Sequence, residues 1–467
     1  MNQKRNDVDI KRTSFPAFGF LVGSRYEIQE VLGHGTYGMV CSAIDKVEPS
    51  SPAIAIKRIN NITRDIVLLR RAVRELKLMR HLRGHANVYL DLVDSKPYHG
   101  LYCYQELMDC DLSKIIRSSI QFTEIHIQSF IYKILCAVKY IHSANILHRD
   151  LKPGNILVNS IGELKICDFG LARSYRDSST RPRSSLTGGS DEEFKITHYV
   201  ATRWYRAPEL MMNYENYSKA IDIWAVGCIF AEMLGRVPLF RGKNQAHQMM
   251  EISRVLGRPT DADLDRIATP LSRNFFDIIK HPKGSKAKAT NGISFAHLYP
   301  EASTIAHDLL SRMLKYNPDK RATASELLEH RYVELFRQSY NKGSEPVCPK
   351  WMDDSFEKAS YDQLEVILRQ EVELFRKEVR VSSQPQPLST ARIASGTLTN
   401  RISYSHERQN YRPNTASSFN QPSNSNKVQY QAMPPRRVQS QSQSRSQATL
   451  PMRHHSFQQR ALHRAET

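Results

Sequence analysis

The segment HRDLKPGN, residues 148–155, sets an acid, an amide and two cations within one short turn of chain. Asp150 would accept a hydrogen bond from a substrate hydroxyl, Lys152 would neutralise charge on a moving phosphoryl group, and Asn155 would ligate a divalent cation. Further on, CDFG supplies Asp168 as a second oxygen ligand, and one carboxylate with one amide suits Mg²⁺ shared with a nucleotide. Upstream, LGHGTYGMV places Gly33, Gly35 and Gly38, with Val40, between two strand-like runs. Glycines there let backbone close over phosphates, because a Cβ would block the approach. A glycine-rich hairpin without a ligand is the plain alternative. A dinucleotide site would need a helix straight after the loop, and MVCSAIDKV reads as a strand instead. AIAIK then puts Lys57 on a strand, with Glu75 on a later amphipathic helix, and a lysine that grips α- and β-phosphates needs such a carboxylate to hold it. Most lone Lys–Glu pairs are surface charges, so this pair gains meaning only in company.

A second cluster lies in KITHYVATRWYRAPE, residues 195–209, where Thr197 and Tyr199 flank His198. A phosphate adds about −1.5 to −2 charges and strong acceptors, and it orders a loop wherever arginines converge on it. Arg203 and Arg206 stand close to Tyr199. Arg71 and Arg74, Arg149 and Arg173 come from three separate elements and could collect a phosphate on Thr197, tying those elements together.

These groups need positioning elements. From Arg25 to about Arg80 the runs YEIQEVLG, MVCSAIDKV and AIAIKRI read as strands. Leu68, Leu69, Ala72, Val73, Leu76 and Met79 then mark an amphipathic helix. Beyond Gln105 helical spacing takes over. Phe130, Ile131, Ile134, Leu135, Val138 and Ile141 mark one long helix; Ile221, Trp224, Ala225, Cys228, Ile229 and Met233 mark another, apolar enough to lie deep. The pattern predicts a small β lobe joined to a larger α lobe. A further helix, with Leu364, Ile367, Leu368, Val372 and Phe375 on one stripe, is expected to pack back on the main body from an extension spanning 338–381.

The 467 residues carry a net charge of +19. Eleven Arg or Lys against Glu407 and Glu466 give the stretch from Ser382 onward +9 of it. That stretch is rich in Ser, Gln, Asn and Arg and reads as a disordered tail over 382–467, as residues 1–24 read as a flexible basic arm. No run is apolar and long enough for a membrane span, and no secretory signal is read at the N-terminus. Seven cysteines without a CxxC pair read as reduced thiols, which predicts cytoplasm and nucleus. A rival function follows from the tail: a scaffold acting through clustered cations on polyanionic partners. Dispersal of those cations among Ser and Gln, with few aromatics, counts against nucleic acid.

Taken in order, the glycine loop, Lys57, HRDLKPGN, CDFG, APE at 207–209, Asp222 in DIWAVG and Arg321 in NPDKRAT resemble a eukaryotic protein kinase over about residues 25–337. The resemblance implies an α+β bilobal fold, with an N-lobe over about 25–107 and a C-lobe over about 108–337. It implies ATP and Mg²⁺, and an ATP site of Leu32, Gly33, Gly35, Gly38, Val40, Ala55, Lys57, Gln105, Glu106, Met108, Asp111 and Leu157. Gln105 looks like the gatekeeper, Glu106 to Met108 like the hinge that bonds adenine, and Asp111 like a ribose contact. Glu209 and Arg321 look like a buried ion pair anchoring the activation segment. Every catalytic element is present, which argues against a pseudokinase.

Thr-x-Tyr followed by VATRWYRAPE is similar to the mitogen-activated protein kinases. That implies proline-directed Ser/Thr substrates, activation at Thr197 and Tyr199, Thr202 bracing Asp150 and Lys152, upstream kinases and phosphatases as partners, and a monomer. Three departures stand out. His198 replaces the usual middle residue, RDSSTRPRSSLTGGSDEEF lengthens the activation segment, and Asn341 and Ser344 replace the aspartates of the acidic docking patch, predicting weak docking. HGLYCYQELMDCDLSKIIRSS, YKILCAVKYIHSANILHRDLKPGN and SEPVC look most like fungal cell-wall-integrity and spore-wall members. An autophosphorylated Tyr199 is one activation route this implies.

Overall fold

The structure, a computed structural model, describes residues 12–15, 20–23, 25–35, 38–47, 53–62, 64–82, 91–96, 100–175, 203–212, 217–273, 292–340, 346–348 and 353–382. Strands β1 (Arg12–Phe15) and β2 (Phe20–Gly23) precede a five-stranded sheet of β3 (Tyr26–Gly35), β4 (Gly38–Asp45), β5 (Ile54–Ile59), β6 (Asp91–Lys96) and β7 (Gly100–Glu106). Its order is β3-β4-β5-β7-β6, antiparallel throughout. The predicted glycine loop joins β3 to β4 as a hairpin, with Gly33 opposite Val40 and Gly35 opposite Gly38. No helix follows it, as the strand pattern of MVCSAIDKV required.

Alternation sends Cys41 and Ala43 of β4 and Ile56 of β5 into a core with Ile28, Tyr102 and Tyr104. Phe20 and Val22 close this core, each 1% exposed, and Phe20 meets Tyr102 edge-to-face at 5.8 Å. The reading of 1–24 as a flexible arm is corrected here for residues 12–15 and 20–23, which pair antiparallel from Arg12 opposite Gly23 to Phe15 opposite Phe20. A sheet apolar on both faces needs a second cover, and FGFLVG is too short an alternation to reveal itself as one.

Helix α1 (Ile66–His81) covers the other face, its start capped by Asp65 accepting from the Val67 amide. Leu69, Ala72, Val73, Leu76 and Met79 are buried as their spacing predicts. The C-lobe begins with β8 (Cys110–Asp111), α2 (Leu112–Arg117) and α3 (Glu124–Ser143). Short strands β9 (Ile146–Leu147), β10 (Ile156–Val158), β11 (Leu164–Ile166) and β12 (Arg173–Ser174) then flank the turns that carry HRDLKPGN and CDFG. After α4 (Pro208–Met212) comes α5 (Ala220–Gly235), buried almost all round, with Trp224 and Phe230 wholly enclosed. The lobe continues with α6 (Gln245–Leu256), α7 (Asp261–Ile267), α8 (Phe295–Leu298) and α9 (Thr304–Met313). It ends with α10 (Ala324–Leu328) and α11 (Glu334–Tyr340). Finally α12 (Tyr361–Ser382) lies against α1 and buries Leu364, Leu368, Val372 and Phe375. No helix among the described residues is long and apolar enough to cross a membrane, and all seven cysteines are thiols.

Candidate active site

Lys57 sits on β5, opposite Val40 on one side and Cys103 on the other. Its Nζ stands 2.5 Å from Glu75 Oε1 on α1. Burial alone pulls the ammonium pKa down; the Glu75 carboxylate and then that of Asp168 reverse this and hold it well above the usual lysine range. Lys57 is therefore a fixed cation facing two carboxylates. The hairpin above it explains two of the glycines differently. A Cβ on Gly38 would lie 1.9 Å from the Arg58 carbonyl oxygen, so this position admits only glycine; a Cβ on Gly33 would meet nothing within 4 Å.

The residues expected on the adenine side gather at the end of the sheet and the start of the C-lobe. Ala55 pairs with Gln105 and Ile54 with Glu106 across β5 and β7, and Leu157 on β10 pairs with Asp111 on β8. Leu32 lies on β3, and Met108 is buried. Glu106 forms an ion pair with Lys165 of β11, a strut from the end of β7 to the C-lobe that sequence reading missed. Asp111, expected at the ribose, has a local duty here: it caps α2, accepting from the Lys114 amide at 3.2 Å and from the Ser113 hydroxyl.

The catalytic turn is held from beneath. Asp222, buried on α5, accepts from the His148 and Arg149 amides at 2.9 Å each and lies 2.9 Å from His142 Nε2. Burial would raise its pKa, but His142, then the charge of His148 and the Arg149 amide, hold the carboxyl below its ordinary value. The turn needs such anchoring because Arg149 has φ 67°, in the left-handed region. His148 Nδ1 lies 3.3 Å from the Asp150 amide and therefore accepts, which makes Nε2 the donor to the Cys167 carbonyl at 3.1 Å. Asp150 Oδ2 accepts from Lys152 Nζ at 2.7 Å and Asn155 Nδ2 at 3.1 Å. With Nδ2 committed there and to the Asp150 carbonyl at 2.8 Å, Asn155 presents Oδ1 as its ligand atom. Asp168, φ 67°, begins the next turn, with Phe169 buried against His148 at 5.0 Å between ring centres. Burial would raise the Asp168 pKa, and Lys57 and Lys152 together bring it below the ordinary value.

Three of the predicted phosphate-reading arginines converge on consecutive carbonyls after Asp168. Arg74 Nη1 donates to Gly170 O at 2.9 Å, Arg149 Nη1 to Leu171 O at 3.3 Å, and Arg173 Nη1 to Ala172 O at 2.9 Å. Arg74, expected to meet a phosphate on Thr197, has its Nε and Nη2 held by Glu357 at 2.6 and 2.7 Å, so in this arrangement a carboxylate occupies its fork. Arg71 is buried on α1. Arg203 donates to the Lys243 carbonyl at 2.9 Å, and Arg206 lies near Asp150, its pKa lowered by burial. Thr197, Tyr199, Thr202, His198, the long polar insertion, Asn341, Ser344 and the tail lie outside the described residues. Glu209 and Arg321 form the expected buried pair, at 2.5 and 2.6 Å.

A protein kinase domain profile matches residues 26–333. The chain is 44% identical over 380 residues to the mitogen-activated protein kinase SLT2/MPK1 of Saccharomyces cerevisiae, covering 79% of this chain and 74% of that one. It is 43% identical over 373 residues to mitogen-activated protein kinase mpkA of Aspergillus fumigatus, covering 79% and 82%. To mitogen-activated protein kinase spm1 of Schizosaccharomyces pombe it is 41% identical over 369 residues, covering 78% and 82%.

The chain belongs to the mitogen-activated protein kinase family.

As a serine/threonine kinase of this family it uses ATP and a divalent metal, and has protein substrates, upstream kinases and phosphatases. The kinase's ligand set fits that use. Asp168 and Asn155 offer only two metal ligands, and no cluster of three or more His, Cys, Asp or Glu able to hold a metal occurs among the described residues. The remaining coordination is thus left to nucleotide phosphates and water.

Proposed function

We propose that this kinase transfers the γ-phosphoryl group of MgATP to serine or threonine followed by proline, in fungal cell-wall-integrity signalling, and that phosphates on Thr197 and Tyr199 activate it. The observation that carries the catalytic reading is the assembled Lys57–Glu75 pair with Asp168 beside it, facing Asp150, Lys152 and Asn155.

Lys57 holds the α- and β-phosphates, and Glu75 holds Lys57. Mg²⁺, when bound by Asp168 and Asn155, neutralises charge on the phosphates. Asp150 orients the substrate hydroxyl, whose oxygen bonds to the γ-phosphorus as the bond to the bridging oxygen breaks and ADP departs. The hydroxyl proton passes to the Asp150 carboxylate. Lys152, 2.7 Å from Asp150, is placed to offset charge on the group in flight. Positioning and electrostatics supply most of the acceleration.

Relatives named as fungal mitogen-activated protein kinases support the pathway, and the seven thiols support cytoplasm and nucleus. Weak acidic docking is proposed from Asn341 and Ser344. The deciding experiment is phosphorylation of a peptide array with and without modification of Thr197 and Tyr199. A strong gain, confined to Ser-Pro and Thr-Pro peptides and lost in Asp150→Asn protein, is expected. Equal turnover by both forms would remove the activation reading.

A further inference from the structure

Helix α1 carries a basic stripe: Arg70, Arg74, Lys77 and Arg80 recur at spacings of four, three and three, which is one helix face. Each cation is answered by the C-terminal extension. Arg70 donates to the Ala359 carbonyl at 3.2 Å. Arg80 binds Glu371 at 2.8 and 3.0 Å, with Lys77 3.6 Å from the same carboxylate. Arg74 differs from the other three because it faces both ways. Its fork is taken by Glu357, and its remaining nitrogen reaches the Gly170 carbonyl two residues past Asp168. Arg74 is also fully buried and adjoins Glu75 in sequence.

We propose that Glu357 is a positioning residue. By holding Arg74 in a bidentate grip it fixes the turn of α1 that bears Glu75, and so keeps Glu75 against Lys57 in a chain without an added phosphate. The same grip takes Arg74 out of the group that answers to Thr197. The inference deepens the proposed function and rests on Lys57, held by Glu75, gripping nucleotide phosphates, independently of which residue is activating.

The physical basis is the asymmetry of a buried ion pair. Guanidinium and carboxylate match as two parallel hydrogen bonds, which fixes orientation as well as distance. Removing one partner leaves an uncompensated buried charge. An Arg74 deprived of Glu357 would seek water by moving α1 outward, and Glu75 would move with it. The cost would appear at the nucleotide, since that is what Lys57 holds.

The test is titration of full-length, phosphatase-treated protein with a fluorescent ATP analogue. Glu357→Gln keeps the volume and removes the charge; it is expected to weaken analogue binding about 5- to 20-fold while peptide-substrate affinity stays within twofold. Glu371→Gln loosens the same extension further along α1, and is expected to lower Tm with no change in analogue affinity. A Thr197→Ala background should show the same loss on Glu357→Gln. The proposal falls if Glu357→Gln binds the analogue like the parent. It falls equally if Glu371→Gln weakens binding as much, which would mean general loosening, or if the loss vanishes in Thr197→Ala protein. Analogue binding indifferent to Lys57→Met would instead remove the premise about Lys57, a different failure.

Discussion

Asp222 holds Arg149 in place: one carboxylate oxygen accepts the Arg149 amide at 2.9 Å while the other accepts the His148 amide and meets His142. A buried anion on the core helix thus stabilises a left-handed turn whose next residue is Asp150, the proposed proton acceptor. Asp222→Asn keeps one acceptor and turns a donor towards an amide. Losing a charge-assisted bond of about 1.5–3 kcal/mol predicts a fall in kcat of roughly 10- to 100-fold with the peptide KM nearly unchanged. Steady-state kinetics on a Ser-Pro peptide would check this, and a kcat within twofold of the parent would refute it.

The Glu209–Arg321 pair is enclosed, at 1% and 0% side-chain exposure. Arg321→Ala should destabilise by about 3–5 kcal/mol, because Glu209 is left charged and buried. Arg321 also donates to the Lys315, Ala220 and Tyr316 carbonyls at 2.8, 3.0 and 3.1 Å. A double apolar replacement would leave those oxygens unpaired, so its recovery should be incomplete. Denaturant unfolding of the parent and the two variants decides the matter; full recovery by the double variant would contradict the role given to the carbonyls.

Glu232 is buried against Tyr205, whose hydroxyl donates to it at 2.5 Å. Burial raises its pKa despite that bond. The folded chain therefore binds a proton there more tightly than the unfolded chain, and stability falls as pH rises through the window above the ordinary value of 4.5. Glu232→Gln removes the penalty while keeping an acceptor for Tyr205. Its Tm should exceed the parent's by on the order of 2 °C at pH 7–8, and the gap should narrow as pH falls. Calorimetry across pH 5–8 would show it; a gap that widened in acid would reverse the sign and the reading.

Two glycines of one loop should respond unequally. Gly38→Ala drives a methyl group into the Arg58 carbonyl, an overpacking worth about 1–3 kcal/mol. Gly33→Ala enters open space. Thermal unfolding without nucleotide should separate them, with Gly33→Ala nearly silent. Equal losses would mean that the loop, rather than the contact with β5, sets the cost.

Much of this architecture was legible because chemistry acts over short stretches. HRDLKPGN and CDFG place interacting groups within a few positions, and α1, α3 and α5 bury the faces their apolar spacing marks. Glu357 was not legible, since its partner Arg74 is 283 residues away and no motif surrounds it. A signal existed in the partner: four cations on one face of α1 call for an acidic neighbour. The β1–β2 hairpin escaped because its alternation is short and its reason for existing, the uncovered face of the sheet, belongs to other residues. Asp111 was read through its likeness to a ribose contact, although its place just before LSKII also marks a helix cap.

Phe20 and Val22 lie ahead of the stretch that matches the kinase profile, yet they seal the upper core over Tyr102 and Tyr104. Recombinant production trimmed to begin at Tyr26 would strip that lid and leave two tyrosines and a phenylalanine-sized hollow facing solvent. Such a product should clump on purification, and the gene is better cut ahead of Arg12.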